Sequence, residues 1–143
     1  MLKGLWTIGV KVPNLERELQ FHRSLGNEIV LDETLTIDGI DYRIPLVRMG
    51  DKYLHLAERM VYERELGIEL PYGPTHLVYV SDDFEADVNR ALAAGASAVR
   101  ESAEVSAEFG DRRVAFLRSP SGWIFEIALI HRHGVPDVTA TSD

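Results

Sequence analysis

The feature that most constrains this chain is a gapless internal repeat. Thr7–Gly26, TIGVKVPNLERELQFHRSLG, lies over His76–Gly95, HLVYVSDDFEADVNRALAAG. Val10 falls on Tyr79, Asn14 on Asp83, Leu15 on Phe84, Leu19 on Val88 and Gly26 on Gly95. Each copy reads as a strand, a helix N-cap, an amphipathic helix and a glycine stop. Asn14 and Asp83 carry side-chain oxygens that accept the orphan N–H groups of a first helical turn. Leu15, Leu19, His22 and Leu25 form one helical stripe, with His22 as a partly buried packing residue. Phe84, Val88 and Leu92 form the other, with Ala91 and Ala94 beside them. A unit repeated in this way buries its apolar face poorly alone, so the two copies are expected to complete each other.

The continuation repeats as well. EIVLDETLTIDGIDYRIPLVRMGDKYLHLAE reads as three strands with turns at DG and GD. SAVRESAEVSAEFGDRRVAFLRSPSGWIFEIALI reads as three more, with turns at FGD and SPSG. Each half is therefore a β-α-β-β-β module, and the fold class is α+β. Two modules side by side make one curved mixed sheet around a shared cleft. The expected organisation is a single domain over 1–131, with module one at about 4–58, a linker at about 59–72 and module two at about 73–130. A flexible polar tail is expected over 132–143.

Composition narrows the function. There are 15 basic and 23 acidic side chains, a formal net charge of −8. No run of Lys and Arg occurs, so nucleic acid, which demands a basic patch, is not an expected partner. The absence of cysteine excludes disulfides, thiolate ligands and a Cys nucleophile. No apolar run approaches the ~20 residues of a membrane helix, and MLKGLWTIGVKVP is too short and interrupted for a signal peptide. The expected location is cytoplasmic, with no membrane partner.

Two stretches carry a family resemblance. VPNLERELQFHRSLG is similar to the pattern VxDLxxxxxFYxxxLG, and FLRSPSGWIFEI to the ending DPxGxxxE. Both belong to the vicinal oxygen chelate superfamily, which holds glyoxalase I, methylmalonyl-CoA epimerase, extradiol dioxygenases and bleomycin and fosfomycin resistance proteins. The resemblance covers about residues 4–130. It implies a metal site on the first and fourth strands of each module. Carried onto this sequence, those positions are Thr7, His55 in YLHLAE, His76 in PTHLVYV and Glu126 in WIFEIAL. Strand alternation agrees, because Leu54, Leu56, Leu77, Phe125 and Ile127 flank them and suit helix packing. His55, His76 and Glu126 then point into the cleft. Two imidazoles and a carboxylate suit one divalent transition metal (Zn, Ni, Co, Mn or Fe) with positions open to water or substrate. Thr7 departs from the pattern, since a hydroxyl is a poor ligand at neutral pH. It either vacates a ligand position or orients bound water on the substrate side.

The resemblance implies bidentate chelation of a small-molecule substrate through adjacent oxygens, with the metal stabilising a developing enolate. Glu126 would serve as ligand and proton carrier. No second base is identifiable, because Glu33, Asp38 and Asp41 fall near strand ends or turns. The leading expectation is a glyoxalase-type lyase or isomerase. The alternatives are an Fe(II) ring-cleaving or other dioxygenase, and a metal-free drug-sequestering protein like those of bleomycin resistance. The dioxygenases use both first-strand positions, one of which is missing here. Lys11 shares the strand face of Thr7 and either meets an anionic substrate group or is a solvated strand end. Tyr53 shares the face of His55 and lines the pocket. Arg43 and Arg48 either bind a carboxylate or CoA phosphates or are surface arginines, Trp6 and Trp123 read as core, and His131 and His133 as freely titrating tail residues. Relatives are usually dimers, and the apolar residues of the linker suit a second copy, so a homodimer is expected.

Overall fold

The computed structural model describes residues 1–137. They form two compact units, one of Thr7–Thr75 and one of Met1–Trp6 with the chain from His76 onward. The division falls inside the first strand, β1 (Leu2–Lys11), rather than in the expected linker alone.

In the N-terminal unit, β1 leads into α1 (Leu15–Ser24). The Asn14 side chain accepts the Arg17 N–H at 3.1 Å, as the cap pattern requires. Gly26, at φ +84°, supplies the left-handed residue after the helix. The expected three strands are five: β2 (Glu28–Leu31), β3 (Thr34–Ile37), β4 (Ile40–Arg43), β5 (Leu46–Met49) and β6 (Lys52–Ala57). Two long strands each break in the middle. Pro45 has no N–H to give to a ladder, and it separates β4 from β5. The detached halves β3 and β4 pair as a hairpin, turned by Asp38 and Gly39 at φ 52° and 77°. The remaining strands are ordered β2-β5-β6-β1, with β1 and β6 parallel. Val12, Leu15, Leu19, Val47 and Leu56 form the core under α1. Leu25 was expected on that stripe but is 55% exposed, because it caps the helix beyond the last packed turn. The linker holds a short helix, α2 (Glu63–Leu66), and buries Met60 and Tyr62 within the unit.

The C-terminal unit follows the expected module: β7 (Gly73–Ser81), α3 (Phe84–Ala93), β8 (Ser97–Ala107), β9 (Gly110–Arg118) and β10 (Ile124–His133). Its order is β7-β10-β9-β8, with β7 and β10 parallel. Phe84, Ala115, Leu117, Phe125 and Ile127 form its core. Asp83 accepts from Ala86 N–H, the second expected cap. Leu92 is 41% exposed, contrary to the stripe reading. Asp87 is buried instead, accepting the Ser81 hydroxyl and the Arg90 guanidinium. Trp6 is core as expected, packed on Phe109 with ring centroids 5.2 Å apart. Trp123 is not core. It is 46% exposed, because it precedes β10, and its ring makes a tilted contact with Phe125.

The chain after 130 is more ordered than a tail. β10 runs to His133, Gly134 N–H donates to the Phe109 carbonyl at 2.9 Å, and Val135 is buried. His131 is held 2.9 Å from Glu104, and His133 lies 3.7 Å from Asp137, so neither stands alone. The rest of the expected tail, 138–143, lies outside the described residues. Among the described residues no helix is long and apolar enough to cross a membrane.

Candidate active site

Strand register decides what each sheet face carries. In the C-terminal unit His76 lies opposite Ile124, and Val78 opposite Glu126. His76 and Glu126 are thus diagonal neighbours on one face, while Leu77, Phe125 and Ile127 turn to the other, where Phe125 and Ile127 join the core with Phe84 of α3. His76 Nε2 lies 3.6 Å from Glu126 Oε2. The other oxygen, Oε1, lies 4.0 Å from Arg112 Nε. The Arg112 guanidinium stacks 3.9 Å above the Phe109 ring, which fixes its plane. The Phe116 ring meets His76 edge-on at 5.6 Å.

Burial governs the charges here. It pushes the Glu126 carboxyl up to about 7, with Arg112 pulling the other way. It pushes His76 down to about 4. Near neutral pH the imidazole is therefore neutral and the carboxyl half-ionised. With the imidazole neutral, the close approach is not an ion pair in either state of the carboxyl. A carboxyl poised near the working pH is matched to general acid–base work.

This sets a stability signature for chelator-treated protein. Glu126 in the folded chain holds its proton up to about 7, against an ordinary value of 4.5. Its contribution is complete below 4.5 and lost as pH rises through 7. Urea unfolding of wild type and Glu126→Gln between those limits should show wild type gaining as pH falls. The expected relative gain is on the order of 3 kcal/mol. Parallel pH curves for the two proteins would exclude a raised Glu126.

In the N-terminal unit Thr7 lies opposite Tyr53, Gly9 opposite His55 and Lys11 opposite Ala57. Thr7, Lys11, Tyr53 and His55 share the face away from α1, and Leu54 and Leu56 pack toward α1, as alternation requires. Thr7 and Tyr53 are fully buried. Lys11 is no solvated strand end. It is 6% exposed, and its ammonium donates to Glu63 at 2.9 Å and to the Leu70 carbonyl at 2.8 Å. Burial pushes Glu63 up, but the Met60 N–H, the Lys11 ammonium and the Leu70 N–H together hold it below its usual range. Arg43 is likewise engaged, by Asp32 and Glu16.

Sequence reasoning missed Arg112 and Glu63. Arg112 was findable, since it alternates with Val114 and Phe116 on the face that carries Glu126. Glu63 belongs to a four-residue helix with no periodicity to announce it.

The metal expectation meets a mixed fit. Two ligands on a tetrahedral ion with bonds of about 2.1 Å stand roughly 3.4 Å apart. The His76–Glu126 separation of 3.6 Å suits that, and so does a neutral imidazole. The Arg112 charge beside Glu126 opposes a second cation. Among the described residues no group of three or more His, Cys, Asp or Glu side chains assembles that could hold a metal.

No family model matches the sequence, and no curated protein matches it. Solved structures do match. A methylmalonyl-CoA epimerase in complex with methylmalonyl-CoA and NH4+ is 18% identical, with a TM-score of 0.70 over 95% of this chain and 100% of its own. The methylmalonyl-CoA epimerase of Mycobacterium tuberculosis is 21% identical, with a TM-score of 0.66 over 90% and 88%. A mutant 4-hydroxymandelate synthase from Streptomyces coelicolor is 14% identical, with a TM-score of 0.63 over 97% of this chain and 51% of its own. Likeness at these identities is likeness of fold.

Proposed function

We propose, for a chain that has the vicinal oxygen chelate fold of these neighbours, an isomerase or lyase that moves a proton next to a carbonyl group. The observation that carries this reading is the buried His76–Glu126 pair on a helix-free sheet face, with the carboxyl near 7. Ionised Glu126 takes a proton from the carbon beside the carbonyl and returns it to the same carbon or its neighbour. Arg112 lowers the cost of the carboxylate between those events. Neutral His76 lies beside the Oε2 side of the carboxyl. Thr7, Tyr53 and Lys11 are the proposed substrate-side residues of the N-terminal unit. His76 and Glu126 are the proposed ligands of one divalent transition metal, which when bound would polarise the substrate oxygens; His55, the third ligand expected from the sequence, joins no such group among the described residues.

Two features separate this reading from its rivals. The threonine at the first-strand position argues against a dioxygenase that relies on a ligand there. A carboxyl brought to about 7 by burial serves proton transfer, whereas a drug-sequestering cleft has no use for it.

The test follows exchange of a substrate α-proton with deuterated water under nitrogen. The panel is 2-oxoaldehyde thiol adducts and 2-methyl acyl-CoA compounds. Metal is measured in protein purified without chelators or a histidine tag, then resupplied with Zn, Ni, Co, Mn or Fe(II). Expected are exchange without dioxygen, one metal per chain and loss of most of it in His76→Ala. Turnover that needs both Fe(II) and dioxygen would move the protein to the oxygenase branch. No exchange and no metal uptake would leave the sequestering reading ahead.

A further inference from the structure

The N-terminal unit holds a polar cavity of about 580 Å³ at the start of α1, beside the β3–β4 hairpin. Its wall includes Leu15, Thr34, Tyr42, Glu58 and Arg59, none of which belongs to the candidate active site. We propose that this cavity is a second ligand site, for a small zwitterion that carries an ammonium and a carboxylate, as a free amino acid does. It is independent of the activity proposed above.

Two consecutive residues bring the opposite charges. In a continued strand Glu58 and Arg59 would point to opposite faces. The chain instead leaves β6 after Ala57 and bends, so both line the cavity. Each is steadied by contacts that leave part of its charged end open. Glu58 Oε2 accepts the Leu15 N–H at 3.2 Å, while Oε1 makes no hydrogen bond among the described residues. The Arg59 guanidinium lies over the Tyr42 ring, 5.1 Å from its centre, and Nη2 donates to the Asp41 carbonyl at 3.1 Å. Tyr42 is 4% exposed, so its ring is a fixed shelf for the guanidinium. Arg59 Nε and Nη1 make no hydrogen bond among the described residues, and neither charge has an ion-pair partner there. Both side chains are exposed, so a ligand in the cavity reaches them.

The balance of charge selects the ligand. Arg43 also lines the cavity, but Asp32 and Glu16 take up its guanidinium. Arg59 is therefore the cation left for a ligand. Asp41 adds a second carboxylate beside Glu58, with one of its oxygens accepting the Thr36 hydroxyl. A simple anion would meet Arg59 but also two carboxylates. A simple cation would meet the carboxylates but also Arg59. A zwitterion places its carboxylate on the guanidinium and its ammonium on Glu58, and so satisfies both signs with charge-assisted hydrogen bonds. The Thr34 hydroxyl adds a neutral donor and acceptor for a polar substituent. The space lies in the size range of small-molecule pockets.

The probes are L-serine, L-glutamine and L-phenylalanine, each beside its counterpart without the ammonium and its counterpart without the carboxylate. Binding is read from amide chemical shifts of the isotope-labelled full chain. Expected is saturable binding of at least one amino acid, with shifts centred on 41–43 and 58–59. Both singly charged counterparts of that amino acid should bind about fivefold more weakly, the effect of one charged contact that solvent also reaches. Arg59→Met keeps a long side chain over Tyr42. It should weaken the amino acid about fivefold without weakening the counterpart that lacks a carboxylate. Glu58→Gln keeps an oxygen for the Leu15 N–H. It should weaken the amino acid to a similar degree without weakening the counterpart that lacks an ammonium, and circular dichroism should show both variants folded. The proposal fails if none of the three amino acids gives saturable shifts up to its solubility limit. It fails equally if the singly charged counterparts bind as tightly, if the shifts centre on His76 and Glu126, or if either folded variant binds like wild type.

Discussion

Gly134→Ala should destabilise the protein by roughly 3 kcal/mol, a large effect for one added methyl group near a chain end. A Cβ at Gly134 would stand 1.8 Å from the Glu108 carbonyl oxygen and 2.8 Å from the Phe109 carbonyl carbon. These are backbone atoms at the β8–β9 turn, so no side chain can swing aside. The only escape is for the segment after β10 to lift off. That forfeits the Gly134–Phe109 hydrogen bond, the burial of Val135 and the edge contact of His133 on Trp6. Detachment therefore sets the upper limit on the cost, at about 1 kcal/mol for the hydrogen bond and about 1.5–2 for the valine. Urea unfolding of Gly134→Ala beside Val135→Ala checks this. The alanine at 134 should cost more than the alanine at 135, because it removes all three contacts. A loss below that of Val135→Ala would show that the segment is not seated on the turn.

That segment also shows where sequence reading reaches its limit. HRHGVPDVTATSD is polar and carries Gly134 and Pro136, the composition of a fraying end. Its order comes from one glycine that permits backbone-to-backbone approach, and local composition does not encode that partner. The repeat was legible for the opposite reason. Its signals are local: Asn14 and Asp83 as caps, Gly26 and Gly95 as stops, apolar positions three and four apart. All four punctuation residues sit where they were read. The split of the N-terminal module's long strands was only half legible. Pro45 in IDYRIPLVRM was visible as a ladder breaker, yet the alternation on either side suggested one continuous strand.

The site divides along the same line. Period-two alternation separated His55 and Glu126 from Leu54, Leu56, Phe125 and Ile127, which join the helix-packed cores, and set His76 on the face of Glu126. The closeness of His76 to Glu126 depends on the parallel register of β7 and β10, which no local pattern encodes. The fate of Lys11 was equally hidden. Its face was readable, but the Glu63 that takes its charge arrives from 52 residues away. Trp123 shows alternation failing for lack of length: it has the right parity for the core, and α3 stops short of it.

Glu126→Gln should abolish most proton exchange, by roughly 10²- to 10⁴-fold, the usual range for a positioned general base. The amide keeps the size of the carboxyl and an oxygen for a metal or for His76, but it cannot accept a proton. The comparison must therefore be made at equal metal loading, so that occupancy does not masquerade as chemistry. In chelator-treated protein the Glu126 carboxyl should ionise as pH rises through about 7, because burial delays ionisation to that point. Arg112 gives a graded companion. Arg112→Met removes the cation that favours the carboxylate, so its profile should move to higher pH. Arg112→Lys keeps the charge and should move it less, though it loses the planar stack on Phe109. Exchange that survives in Glu126→Gln at wild-type rate and equal metal content would remove Glu126 as the base.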